Sequence, residues 1–100
     1  MSVKNFEVRF FDEALDFIYQ LPEADKAKVL AHIKMMEADF DVVYTKILKS
    51  PIRELLVKKY RLLFFIQKDT IYVVRGFVKK SQKTPLREIV KAENVYKLMQ

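Results

Sequence analysis

Cysteine is absent from this 100-residue chain, which excludes disulfides, thiolate metal sites and cysteine nucleophiles together and fits a reducing compartment. With one glycine and three prolines there is little room for long loops. The single histidine, His32, has no second histidine or cysteine to share a metal, so no metal site is expected. No apolar run approaches the roughly 20 residues that span a bilayer, and the N-terminal MSVKNFEVRF has no apolar signal-peptide core. A cytoplasmic chain without membrane association is expected.

What is present suffices for a core. Half the residues are hydrophobic and thirteen are aromatic, so disorder is not expected. At this length about 60–65% of the unfolded surface can be buried, which makes residues 1–100 a single domain. Charge is unevenly divided. Residues 1–45 hold five basic and nine acidic side chains, whereas residues 46–91 hold thirteen basic and three acidic ones. A basic surface mounted on an acidic back is what a polyanion-binding domain presents.

Phe6, Val8 and Phe10 alternate with polar neighbours, the period of a half-buried strand. Asp12 is placed to cap a first helix with the face Ala14, Leu15, Ile18 and Leu21. Pro22 suits the first turn of a second, in which Val29, Leu30, Ile33, Met36 and Phe40 recur at helical spacing. Residues 41–50 have no clear period and read as a loop ending at Pro51. Ile52–Val57, Tyr60–Gln67 and Thr70–Val78 then read as strands, joined by hairpin turns at Lys58-Lys59 and Lys68-Asp69. Thr84 and Pro85 open a last helix whose face is Leu86, Ile89, Ala92, Tyr96 and Met99. The expected fold is α+β: an N-terminal strand, a two-helix hairpin, a three-stranded antiparallel meander joined into one sheet, and a C-terminal helix.

Hairpin register converts this order into a candidate site. Counting back from Lys68-Asp69 sets Arg61 opposite Gly76, the only glycine, which would leave a notch beside an arginine or else mark a bulge or a close-packed helix. Counting from Lys58-Lys59 puts Glu54 on the Arg61 face, one pair along. The same register points Arg75 into the core, unless it escapes at a sheet edge or a bulge shifts the pairing. Lys79, Lys80 and Lys83 follow the last strand and approach Arg87 at the start of the last helix, where phosphate is favoured. Arg53, Lys58 and Lys59 extend the basic set.

The run YRLLFFIQKDTIYVVRGFVKKSQKTPLREI, with Glu54-Leu55 before it and Ala92 after it, resembles the C-terminal half of RelE/ParE-superfamily toxins. Its GFVKKSQKTP segment is similar to the HigB-like, phage-derived branch. The resemblance implies a type II toxin that cleaves mRNA on the ribosome by 2′-hydroxyl attack, needs no metal or organic cofactor, and is neutralised by a cognate, HigA-like helix-turn-helix antitoxin. It further implies that Arg61 stabilises the phosphorane and Glu54 acts as base. Lys80 completes the catalytic set, gripping a flanking phosphate with Lys79. Many relatives carry a tyrosine or histidine near the last helix. Here the region is KKSQKTPL, so the general acid has no counterpart. Rival expectations are a ParE-like gyrase inhibitor and a non-enzymatic RNA-binding regulator.

Overall fold

A computed structural model of the chain describes residues 5–100. The first four, part of the N-terminal stretch read above, lie outside the described residues. The elements are β1 (Glu7–Phe10), α1 (Asp12–Tyr19), α2 (Glu23–Ala38), a short 3-10 turn (Phe40–Val42), β2 (Thr45–Lys49), β3 (Ile52–Val57), β4 (Tyr60–Gln67), β5 (Thr70–Val78) and α3 (Leu86–Leu98). The five strands form one mixed sheet in the order β1-β5-β4-β3-β2, with β1 parallel to β5 and all other pairs antiparallel. The parallel pair needs a long crossover, which α1, α2 and the meander supply.

The sheet is covered on both faces. On one, Leu55, Val57, Leu62, Phe64, Ile71 and Val73 pack with Ala14 and Ile18 of α1 and Val29, Ile33 and Met36 of α2. On the other, Ile52, Leu63, Phe65 and Val74 pack with Ala92 of α3, and Tyr96 sets its ring edge-on to Phe65 at 5.0 Å. Two covers explain why LLFFI in β4 runs without alternation, since a strand apolar on both sides has no polar face. The two-residue turns put Lys58 (φ 54°) and Lys68 (φ 57°) in the left-handed region, at a cost of about 1–2 kcal/mol each for a side chain with a Cβ.

Several expectations are corrected. Residues 41–50 are not a loop: they hold the 3-10 turn and the edge strand β2, so the antiparallel meander has four strands. Only one side of β2 is paired, a register shift falls between Ile47 and Lys49, and only Thr45 and Leu48 are half-buried, so the strand shows no period of two. Asp12 is not the cap of α1. Phe11 holds that position, its N–H bonded to the Val73 carbonyl, and Asp12 is the first helical residue. Thr84 does not cap α3 either, because Pro85 precedes the helix and the threonine hydroxyl is used elsewhere. The buried stripe of α3 holds Ile89, Ala92, Tyr96 and Met99 as expected and departs from the expected one only in its first turn. Leu86 is 70% exposed while Glu88 is only 8% exposed, turned inward by an ion pair with Arg75.

The register shift with the widest effect lies in β5. Leu63 pairs with Arg75 and Phe64 with Val73, which leaves Val74 as a bulge. Arg75 is thereby carried to the α3 face, where its Nε donates to Glu88 at 2.5 Å and its Nη1 pairs with Glu13 of α1. Beyond the bulge, Arg61 stands opposite Phe77, and Gly76 opposite Leu62 on the other face. A Cβ on Gly76 would collide with the Phe17 ring of α1. The expected substrate notch at Gly76 is therefore absent: the glycine admits a helix, not a ligand.

Candidate nucleic-acid interface

On the α3 side, one cross-strand row runs Lys46, Glu54, Leu63, Arg75, and the next, nearer the Lys58-Lys59 turn, runs Leu56, Arg61, Phe77. α3 covers Leu63 and its neighbours but leaves Leu56, Arg61 and Phe77 only half-buried. Arg61 and Glu54 thus share a face one pair apart, as the β3–β4 register predicts. Beyond Phe77 the chain continues through Lys79, whose N–H donates to the Lys59 carbonyl at 2.8 Å, and into the lysine-rich segment before α3.

Glu54 has no exposed surface. Its Oε2 accepts the Thr84 hydroxyl at 2.5 Å, and Lys46 lies 3.7 Å from Oε1, too far for a hydrogen bond, so that oxygen is buried without one. The ion-pair partner is Lys46, not Arg53 or Arg61. Arg61 is fixed from behind. Its Nη1 donates to the carbonyls of Lys58 (2.7 Å) and Tyr60 (2.8 Å), while its Nε is buried and unpartnered. A buried polar atom left without a hydrogen bond costs about 1–3 kcal/mol. Two such atoms, on an acid and a cation of neighbouring rows, are kept against that cost, Glu54 Oε1 with Lys46 as its nearest cation.

A cavity of about 340 Å³ is lined by Phe77, Val78, Lys80, Ser81, Pro85, Arg87 and Glu88, and shares Phe77 with the Arg61 row, although neither Arg61 nor Glu54 lines it. A half-buried aromatic ring beside two cations is a combination that stacks a base and holds a phosphate. The expected basic residues therefore divide. Lys80 and Arg87 line this cavity, Lys83 is exposed in the adjoining segment, and Lys79, by strand alternation, lies on the Arg61 face. Lys59 sits at the turn, its Nζ 5.7 Å from the Tyr60 ring centroid. Arg53 and Lys58 belong to the other side. Arg53 lies over the Phe40 ring, and Lys58 is bound to Asp25 of α2 at 2.9 Å. His32 is on α2, away from the site, its Nδ1 2.9 Å from the Lys28 carbonyl.

Sequence reasoning misses Lys46, Thr84 and Phe77. Lys46 is hidden because its strand shows no period, and Thr84 because its capping signal is stronger than any sign of its tertiary use. Phe77 falls on the wrong face in a count from Thr70 that lacks the Val74 bulge, although a bulge that shifts the pairing is one of the two sequence readings of Arg75 and is the one the structure has. Among the described residues, no group of three or more histidine, aspartate or glutamate side chains is arranged to hold a metal. Nor is any helix among them long and apolar enough to cross a membrane.

A family model described as phage-derived protein Gp49-like (DUF891) matches residues 16–97. No curated protein matches the sequence. Among solved structures, the chain is similar to one in the RelBE2 toxin–antitoxin complex of Mycobacterium tuberculosis, with a TM-score of 0.63 and 20% identity over 75% of this chain and 99% of that one. A chain of the archaeal RelE–RelB complex of Pyrococcus horikoshii gives 0.62 and 12% over 75% and 96%. One from the RelB–RelE antitoxin–toxin complex of Methanococcus jannaschii gives 0.59 and 14% over 82% and 93%. The mixed five-stranded sheet with three helices is accordingly a RelE-like fold.

Proposed function

Because this chain belongs to the phage-derived Gp49-like family and has a RelE-like fold, we propose that it is the toxin of a type II toxin–antitoxin system, an endoribonuclease of the HigB-like branch acting on mRNA at the ribosome. The observation that carries this reading is the placement of Glu54 and Arg61 on one face in neighbouring rows, each with a buried atom that lacks a hydrogen-bond partner. RNA supplies its own nucleophile. The 2′-hydroxyl oxygen bonds to the adjacent phosphorus, the bond to the 5′-oxygen breaks, the departing oxygen takes a proton from solvent water, and the products are a 2′,3′-cyclic phosphate and a 5′-hydroxyl. The protein must accept one proton, stabilise charge on the phosphorane and hold the strand, none of which requires a metal.

Arg61 meets the phosphorane with the part of its guanidinium not bound to the turn carbonyls. Glu54 accepts the 2′-hydroxyl proton through Oε1, and the segment carrying Thr84 must lift away for RNA to reach it. Lys79, Lys80, Lys83 and Arg87 grip flanking phosphates, and Phe77 stacks a neighbouring base. The partner that holds this surface in check is an acidic or partly disordered antitoxin, HigA-like on this reading, in the cytoplasm. The solved relatives are toxin–antitoxin complexes, which supports such a partner.

The complete burial of Glu54 favours a second reading, a non-enzymatic RNA-binding regulator in which Glu54 only anchors Lys46 and Thr84. Translation in a purified system with the protein added, followed by primer extension on the message, separates the two. The nuclease gives discrete breaks that disappear in Glu54→Gln and Arg61→Lys while RNA binding persists. A wild-type protein that binds message and leaves it whole selects the regulator.

A further inference from the structure

The turn that holds Arg61 is itself held from across the sheet. Lys58 occupies the left-handed region at φ 54°, and in that conformation its carbonyl converges with that of Tyr60 on Arg61 Nη1. Residues kept in such backbone regions at functional sites persist only when the surroundings over-determine them. Here the two-residue turn between paired Val57 and Tyr60 sets that conformation, as the other hairpin turn does for Lys68, and a carboxylate from α2 adds a second hold. Asp25, in the first turn of α2, accepts Lys58 Nζ on Oδ1 at 2.9 Å and the Tyr60 hydroxyl on Oδ2 at 2.5 Å. One side chain thus grips both residues whose carbonyls bind the arginine. The Tyr60 ring is almost fully buried and meets Phe17 edge-on at 6.0 Å, so this arm has little freedom. Lys58 and Tyr60 together hold the Asp25 carboxyl below its usual range, which keeps the anion in place as the acceptor of both bonds.

We propose that Asp25 is a positioning residue for Arg61: it clamps Lys58 and Tyr60 so that their carbonyls fix the guanidinium in the orientation that meets the scissile phosphate. The clamp rests on the reading of Arg61 as the phosphate-binding group, yet Asp25 lies on the opposite side of the sheet and touches no RNA. A merely structural staple between α2 and the hairpin would lower stability and leave the arginine's geometry unchanged. A positioning role couples the two.

The test compares wild type with Asp25→Ala and Tyr60→Phe, the second removing one arm only and serving if the first does not fold. Three readouts are taken: mRNA cleavage in the purified translation system, RNA affinity, and the nitrogen NMR signals of the Arg61 guanidinium, assigned with Arg61→Lys. With Nη1 no longer held, those signals should lose the separation that restricted rotation gives. Turnover should fall about ten- to a hundredfold, as a misplacement near 1 Å can cause, with RNA affinity unchanged. In an Arg61→Lys background the Asp25 change should cost no further turnover, since the group it positions is gone. A folded Asp25→Ala with wild-type guanidinium signals, or one whose loss adds fully to that of Arg61→Lys, overturns the clamp. If wild type does not cleave at all, the nuclease reading fails, and the guanidinium signals still decide whether Asp25 holds Arg61.

Discussion

The two faces of the sheet are built from the same strands and have opposite characters. Under α1 and α2 the face is mainly apolar, so close-packed that the only glycine exists to admit the Phe17 ring, and its charged groups, Arg53 over Phe40 and Lys58 on Asp25, are partnered. Under α3 the apolar part ends at Leu63. Past it come a buried glutamate, a buried arginine nitrogen and an aromatic ring, edged by lysines. A core face needs only complementary volume, whereas polar groups buried without partners are kept against their cost. The contrast assigns stability mainly to the first face and chemistry to the second, and it explains why an acidic helical half and a basic stranded half coexist in so short a chain.

That division can be broken most sharply at its polar end. Glu54→Gln and Arg61→Lys should each reduce mRNA cleavage by about 10²–10⁴-fold, one by removing the base and the other by replacing a planar fork with a point charge. Primer extension and a growth assay, read beside a melting curve, check both. An active, folded Glu54→Gln removes the carboxylate from the mechanism and leaves the anchor role.

Replacing Lys79, Lys80 and Lys83 together should weaken RNA binding and flatten its salt dependence, by about 0.7 log units per tenfold change in salt for each phosphate no longer neutralised. Titrations at several salt concentrations measure the slope. An unchanged slope would show the lysines to be solvated and uninvolved.

The apolar face should respond in stability instead. Gly76→Val must displace the Phe17 ring and should cost about 1–3 kcal/mol, seen as a lower denaturation midpoint, with cleavage by the folded fraction retained. Loss of cleavage without loss of stability would return the glycine to the active site.

The smallest expected effect is on the clamp that links the two faces. Hydrogen bonds from Lys58 and Tyr60 lower the Asp25 pKa, so its contribution is present above the unfolded carboxylate value, about 3.9, and is lost as pH falls through the lower folded one. The hydrogen bond to Asp25 raises the Tyr60 pKa, so that contribution is present below about 10 and is lost as pH rises through the higher folded value. Stability should therefore decline at both ends of a neutral plateau. Asp25→Ala should flatten both declines, which denaturation curves across pH would register.

Sequence alone determined the α+β class, the bounds of β3, β4 and β5, and the polarised charge, because each follows from patterns a few residues long: strand-forming runs, turn breaks and lysine spacing. It also placed Glu54 and Arg61 on one face, since a two-residue turn leaves little freedom in the β3–β4 register. Tertiary structure decided the rest. Edge strand β2 pairs on one side only, so its pattern is weak. The bulge at Val74 arises where β5 must satisfy both sheet faces and an Arg75 bridge between two helices, and it moved Gly76 from the site into the core. The Thr84 bond to Glu54 spans thirty positions and the Asp25 grip on Tyr60 thirty-five. Contacts at such separations leave no local period, because they are set by how packed elements meet and not by how any one of them forms.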